Sequence, residues 1–331
     1  YDYAVARLPK GEENYLLIDE VQDVEQYETA LRSLHAENRC QIIATGSNAY
    51  IFSSELGTHL AGRYVEIKVL NLSYLEFLRF HKMEDSNESL MHYLRMGGLP
   101  GLLAFKPEEQ SQINDYLEGV YNTVLVKDIV TREKVRNVSQ LENIIRFVAD
   151  NIGKPTAVAN IAKYMTSRGE KISDETVSNY LDYLGKAFLA IVVDRFNIHG
   201  KMLLESNNKR YFSDHGIRNY LCGADIRGSI EKIMENVVWN HLRRQGFKVT
   251  VGLLRAGEID FVATKTYHQI YIQVTYLLAS EETVKREFGN LAAIKDNYPK
   301  YVVSMDAVSG GFGEYPGIEH VNLRDFLKME L

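Results

Sequence analysis

The chain has 331 residues, 45% hydrophobic and 25% charged, an ordinary globular composition with more material than one core usually serves, so two or three domains are expected. Its formal net charge of −6 supplies no global basic field, so nucleic-acid binding would need a local patch. Two distant cysteines, Cys40 and Cys222, and nine scattered histidines exclude a disulfide framework and a zinc site, suit a reducing cytoplasm, and accompany no apolar run long enough to span a membrane.

The sequence opens on Tyr1 within a helix-like stretch, and the expectation is a fragment or the ordered part of a longer chain. Residues 15–18 are a short apolar run ending in acids, which reads as a buried parallel strand. A helical stretch over 27–34 follows, then an apolar run at 41–45 and a third candidate strand at 64–69. Strands spaced by helices imply a βαβ parallel sheet. From about 78 to 138 the pattern is helical, with Ile113, Tyr116, Leu117, Val120, Tyr121 and Val124 on one buried face and Gly97, Gly98, Pro100 and Gly101 marking a turn. Between about 141 and 196 three short helices lead into an apolar strand at 189–193. Ser173 is placed to cap the last helix, whose stripe is Val177, Tyr180, Leu181, Leu184 and Phe188. Three helices and then a hairpin is the winged-helix order. After about 201 the chain is α/β again: a helix over 230–245, strands near 248–251, 259–263 and 270–274, a helix over 281–294, and a strand at 301–305.

Asp19 and Glu20 end the first strand, and ligands of open parallel sheets sit at that carboxyl edge. Hydrolysis of a nucleoside triphosphate needs one carboxylate near Mg²⁺ and a polar group to position the attacking water, tasks that suit Asp19 and Glu20 in turn. The next strand ends in Thr45-Gly46-Ser47-Asn48, whose hydroxyl and amide groups can sense a γ-phosphate, and Leu60-Ala61-Gly62-Arg63 follows. The run from LLIDEVQDV through ATGSNAYIFSSELGTHLAGRYVEI to LNLSYLEF resembles AAA-type ATPases of a prokaryotic family. The resemblance implies ATP and Mg²⁺ as cofactors, Asp19 and Glu20 as Walker B, Thr45 or Ser47 as sensor, and Arg63 as an arginine finger or a surface ion-pair residue. A finger acting in trans would require a homo-oligomer. A P-loop needs G-x-x-x-x-G-K-[ST], and none of Gly153-Lys154, Gly185-Lys186 or Gly200-Lys201 completes one. The family carries that loop N-terminal to Walker B, before Tyr1, so the chain as given is not expected to hydrolyse ATP by itself.

The candidate reading helix of the winged helix shows Glu175, Thr176, Ser178, Asn179, Asp182 and Lys186, two of them acids that oppose phosphate, while Lys201, Lys209 and Arg210 offer a modest basic wing. Scaffold and DNA-binding roles both stay open. The C-terminal region resembles PD-(D/E)XK nucleases, a domain that the same ATPase family carries. By that resemblance Glu235 is the helix glutamate, Glu258 and Asp260 lie on the aspartate strand, and Gln273 and Thr275 stand where the second carboxylate and the lysine belong. Asp260 is then the residue to hold Mg²⁺ or Mn²⁺. Lys285 is a candidate to reach back from the next helix, although Glu281, Glu282, Arg286 and Glu287 around it read as a solvated charged face.

The expected fold is α/β: a partial P-loop NTPase parallel sheet over 1–78, a helical lid over 79–138, a winged helix over 139–200, and a restriction-endonuclease-like domain over 201–331. The expected function is an ATPase coupled to a double-stranded DNA or protein partner. The alternatives are a metal-dependent nuclease governed by the ATPase part and a non-catalytic binding module.

Overall fold

The structure is a computed structural model and describes residues 1–49, 62–223, 225–255, 257–307, 310–311 and 313–331. After a short α1 (Asp2–Val5), β1 (Tyr15–Ile18) and β2 (Gln41–Ala44) pair in parallel, with Tyr15 opposite Gln41 and Ile18 opposite Ala44. The helix between them, α2 (Tyr27–Ala36), covers one face, where Val21, Tyr27 and Leu31 bury Ile18, Ile42 and Ala44. The other face, with Tyr15, Leu17 and Ile43, is exposed. The third strand expected at 64–69 does not form. Those residues take no strand pairing, and Val65, Ile67 and Val69 are all exposed. An apolar alternation becomes a strand only where a neighbour completes the ladder, and among the described residues none lies beside this one. Residues 50–61, the middle of the motif run, lie outside the described residues.

The helical middle begins with α3 (Tyr74–His81), entered through a capping box in which Ser73 Oγ accepts from Glu76 N and Glu76 accepts from Ser73 N. Then come α4 (Asn87–Met96) and α5 (Gln110–Thr123), the latter running on as π-helix through Val124–Thr131. Ile113, Leu117 and Tyr121 are the fully buried part of the expected α5 face. Next are α6 (Val138–Asp150), α7 (Val158–Ser167) and α8 (Asp174–Lys186), the last capped by Ser173 as expected.

A hairpin of β3 (Ala190–Asn197) and β4 (Met202–Phe212) follows α8 and leads to α9 (His215–Cys222) and α10 (Ile230–Arg244). The rest of the chain supplies β5 (Lys248–Leu253), β6 (Glu258–Lys265), β7 (His268–Val274), α11 (Glu281–Ala292), β8 (Lys300–Ser304), β9 (Gly310–Gly311), β10 (Ile318–Asn322) and α12 (Leu323–Phe326). One sheet of eight strands, in the order β4-β3-β5-β6-β7-β8-β10-β9, contains both the hairpin and the C-terminal strands. The junction is a parallel pairing of β3 with β5, Arg195 opposite Val251 and Asn197 opposite Leu253. The division expected at 200/201 therefore falls inside a hairpin. A continuous core runs from Phe77 through Ile113, Ile145 and Leu184 to Val238 and Phe261, whereas the small cluster under β1 and β2 is separate.

Candidate functional site

Two sets of polar side chains stand out, one at the carboxyl edge of β1 and β2 and one under the hairpin. At the first, Thr45 N donates to Ile18 O and Val21 N to Thr45 O, so the backbone locks the two strand ends together. Thr45 Oγ1 donates to Asp19 Oδ1 and accepts from Glu20 N at 3.2 Å. Ser47 Oγ lies 3.0 Å from Glu20 Oε2 and 3.3 Å from Asp128 Oδ1, and Gln22 Nε2 also donates to Glu20. Asn48, the next residue, is buried. The structure thus brings Asp19, Glu20, Thr45 and Ser47 together at this edge, with buried Asn48 next in the chain. Arg63 is exposed and makes no hydrogen bond or ion pair with them among the described residues.

Asp128, which the sequence reading did not single out, comes from the π-helix. Burial pushes its carboxyl up, with Arg132, 3.7 Å away, pulling the other way. Lys127 beside it pairs with Asp23 at 3.1 Å, just after Glu20. Ala49 N donates to Lys186 O at the end of α8. The edge is therefore tied both to the helical lid and to the three-helix segment. Its chemistry fits a hard divalent cation: Asp19 is exposed, and hydroxyl oxygens of Thr45 and Ser47 stand nearby.

The second set lies where β4 passes over α10 and β6. Lys209 Nζ is 2.5 Å from Glu258 Oε1, 3.7 Å from Asp260 Oδ1 and 3.9 Å from Glu235 Oε2, and its side chain is 3% exposed. Tyr211, on the same face of β4, donates its hydroxyl to Glu235 Oε2 at 2.8 Å. Gly153 makes room for that carboxylate, since a Cβ there would come within 2.5 Å of it. Burial, then the Asp260 charge, push the Glu235 carboxyl up to about 8 against the pull of Lys209 and Tyr211. Burial also raises Asp260, to about 6, with Lys209 and the Val274 amide opposing. Burial alone would lower Lys209, but its three carboxylates hold the ammonium above its ordinary value.

Glu235, Glu258 and Asp260 converge on Lys209, and Gln273 lies beside Asp260. Gln273 Oε1 accepts from Asp260 N at 2.7 Å, and its Nε2 donates to Glu287 Oε2 at 2.6 Å. Two expectations need correction. Lys209 and Arg210 form no basic wing: Lys209 points into the carboxylates, and Arg210 Nη1 donates to Leu181 O. Glu287 is buried rather than solvated, because Gln273 draws it under the sheet. Of the two alternatives left open for Lys285, the structure has the solvated one: it is exposed on α11 and, among the described residues, pairs with none of the four. The sequence did hold a signal for Lys209. Strand alternation puts it on the face of Tyr211, which is fully buried.

An AAA domain model matches residues 1–78, and a model of a domain of unknown function (DUF8612) matches residues 87–227. An uncharacterized protein of Haemophilus influenzae is 35% identical over 328 residues, 97% of this chain and 79% of its own length. The chain belongs to that protein's family. Its first 78 residues are an AAA-type ATPase-like domain. An uncharacterized protein of Methanocaldococcus jannaschii is 28% identical over 300 residues, covering 85% of the chain and 65% of that relative. The Walker-type ATPase PABY2304 of Pyrococcus abyssi is similar over 63% of each chain, at 16% identity and a TM-score of 0.45. Among the described residues no helix is long and apolar enough to cross a membrane.

Proposed function

We propose that this AAA-family protein binds and hydrolyses ATP at the carboxyl edge of β1 and β2, and that its C-terminal part reads the state of that edge for a partner. The observation that carries the reading is the Ser47 hydroxyl, which stands between Glu20 and the lid carboxylate Asp128. A single hydroxyl proton serves one acceptor at a time, so a change at the nucleotide side alters what holds the lid. In this reading Asp19 holds Mg²⁺, Glu20 orients the attacking water, and Thr45, Ser47 and Asn48 sense the γ-phosphate. Arg63, exposed and unengaged by this edge, acts in trans within a homo-oligomer. The phosphate cradle is a P-loop N-terminal to β1. None of the three Gly-Lys pairs supplies it: Gly153 packs on Glu235, Gly185 lies within α8, and Gly200 turns the hairpin.

A protein partner fits better than double-stranded DNA. The wing's Lys209 and Arg210 face inward, and on α8 Lys186 is paired with Asp182 at 2.6 Å. The test is Mg²⁺-dependent phosphate release by the full-length protein. Glu20→Gln is expected to lower kcat by about a hundredfold or more while ATP still binds. Absence of turnover in the full-length protein, or turnover indifferent to Glu20→Gln, would overturn the reading.

A further inference from the structure

A nuclease-like reading of the C-terminal sheet expects a divalent metal at Asp260, and the side chains there do not fit one. Mg²⁺ needs near-octahedral oxygens at roughly 2.1 Å and Mn²⁺ a comparable set of hard donors. The oxygens that would face it, Glu258 Oε1, Asp260 Oδ1 and Glu235 Oε2, already surround the Lys209 ammonium. Asp260 Oδ2 accepts from Val274 N at 2.8 Å. Gln273 is engaged at both ends of its amide, toward Asp260 N and toward Glu287. Among the described residues no group of three or more His, Cys, Asp or Glu side chains is arranged to hold a metal ion. Lys209 Nζ occupies the point on which these three oxygens converge, so a divalent cation there would have to displace it.

We propose that Lys209 is the resident cation of this cluster: the hairpin's ammonium stands in the place of a divalent metal, so the site is metal-independent and serves as the joint that fastens β4 to α10 and β6. The placement explains two features together. The lysine missing from the β7 motif, where Thr275 is buried, comes instead from a strand more than sixty positions earlier. A lysine in the middle of a hairpin is buried, against the usual rule for that residue, because the carboxyl groups of Glu235, Glu258 and Asp260, from two other elements, meet it there.

The test uses Mn²⁺ titration calorimetry and thermal unfolding on the full chain, in an Asp19→Ala background so that the AAA edge adds no binding. The Lys209-containing protein is expected to show the same Mn²⁺ isotherm as its Asp260→Asn variant. Lys209→Met, which keeps the stem and removes the charge, is expected to gain one Mn²⁺ site that Asp260→Asn abolishes, with Tm now rising in Mn²⁺. Lys209→Arg, which keeps a cation, should gain none. Binding to the Lys209 protein that depends on Asp260 overturns the assignment, as does a folded Lys209→Met that gains no Mn²⁺ site. If Lys209→Met does not fold, the Lys209 protein and its Asp260→Asn variant decide alone: matching isotherms support the joint, and an Asp260-dependent event refutes it.

Discussion

Glu20 holds a left-handed backbone, φ 47°, a conformation that side-chain-bearing residues seldom adopt, and its carboxylate meets Ser47 and Gln22 from that position. Strain of this kind persists where surrounding contacts over-determine it, and here they are the backbone links between the two strand ends. Glu235 shows a different residue-scale effect. Its carboxyl rises from 4.5 to about 8 on folding, so the folded state binds that proton more tightly than the unfolded chain. The associated stability is fully present below the unfolded value and is lost as pH climbs toward 8. Urea midpoints should therefore fall between pH 5 and pH 8, and Glu235→Gln, which stays neutral throughout, should flatten that slope. Parallel slopes for the two proteins would mean that Glu235 is ionised in the fold.

At the scale of elements, the entry to α9 organises more of the molecule than its eight residues suggest. Asp214 Oδ1 caps it by accepting from Gly216 N at 2.8 Å and Ile217 N at 3.2 Å, while Oδ2 accepts from Gly98 N and Asn71 Nδ2. His215 completes the contact by reaching Tyr93 O at 2.8 Å. Gly98 and Gly216 are required by closeness: a Cβ on either would meet a backbone carbonyl, at 2.6 Å and 2.0 Å. One carboxylate thus joins the segment before α3, the turn after α4 and the start of α9. Asp214→Ala strips all four donors and should cost at least about 3 kcal/mol in chemical denaturation. A loss below about 1 kcal/mol, the scale of a cap alone, would show that water replaces the other bonds. The α8 helix illustrates the opposite case. Its buried stripe of Val177, Tyr180, Leu181 and Leu184 follows from spacing, but Phe188, expected to extend it, lies past the helix end and is exposed, and the packing of Lys186 O against Ala49 N was not legible either.

Over the whole molecule, the decisive fact is that hairpin and C-terminal strands form one sheet above one core. The three-helix segment and the C-terminal part should unfold together. Phe196→Pro removes a donor where β3 pairs with β5, and hydrogen exchange should then show protection falling in β3, β5 and α6–α8 alike. Loss confined to the hairpin would make the shared sheet mechanically unimportant. Much of this architecture was legible beforehand. The parallel pair and the capped helices follow from hydrophobic period and local capping residues, whereas the grouping of Glu235, Glu258, Asp260 and Gln273 came only from the resemblance to PD-(D/E)XK nucleases. The strand at 64–69 failed because an alternating run says nothing about whether a neighbour exists. The inward turn of Lys209, the burial of Glu287 and the bridge from Ser47 to Asp128 were decided by tertiary structure. Sequence by itself determines which helix faces avoid water, because that depends on local spacing, whereas the apolar runs at 15–18 and 64–69 are buried only as far as a neighbour covers them. Which charges meet depends on distances between segments far apart in the chain, 81 residues for Ser47 and Asp128, and only the packed chain sets those.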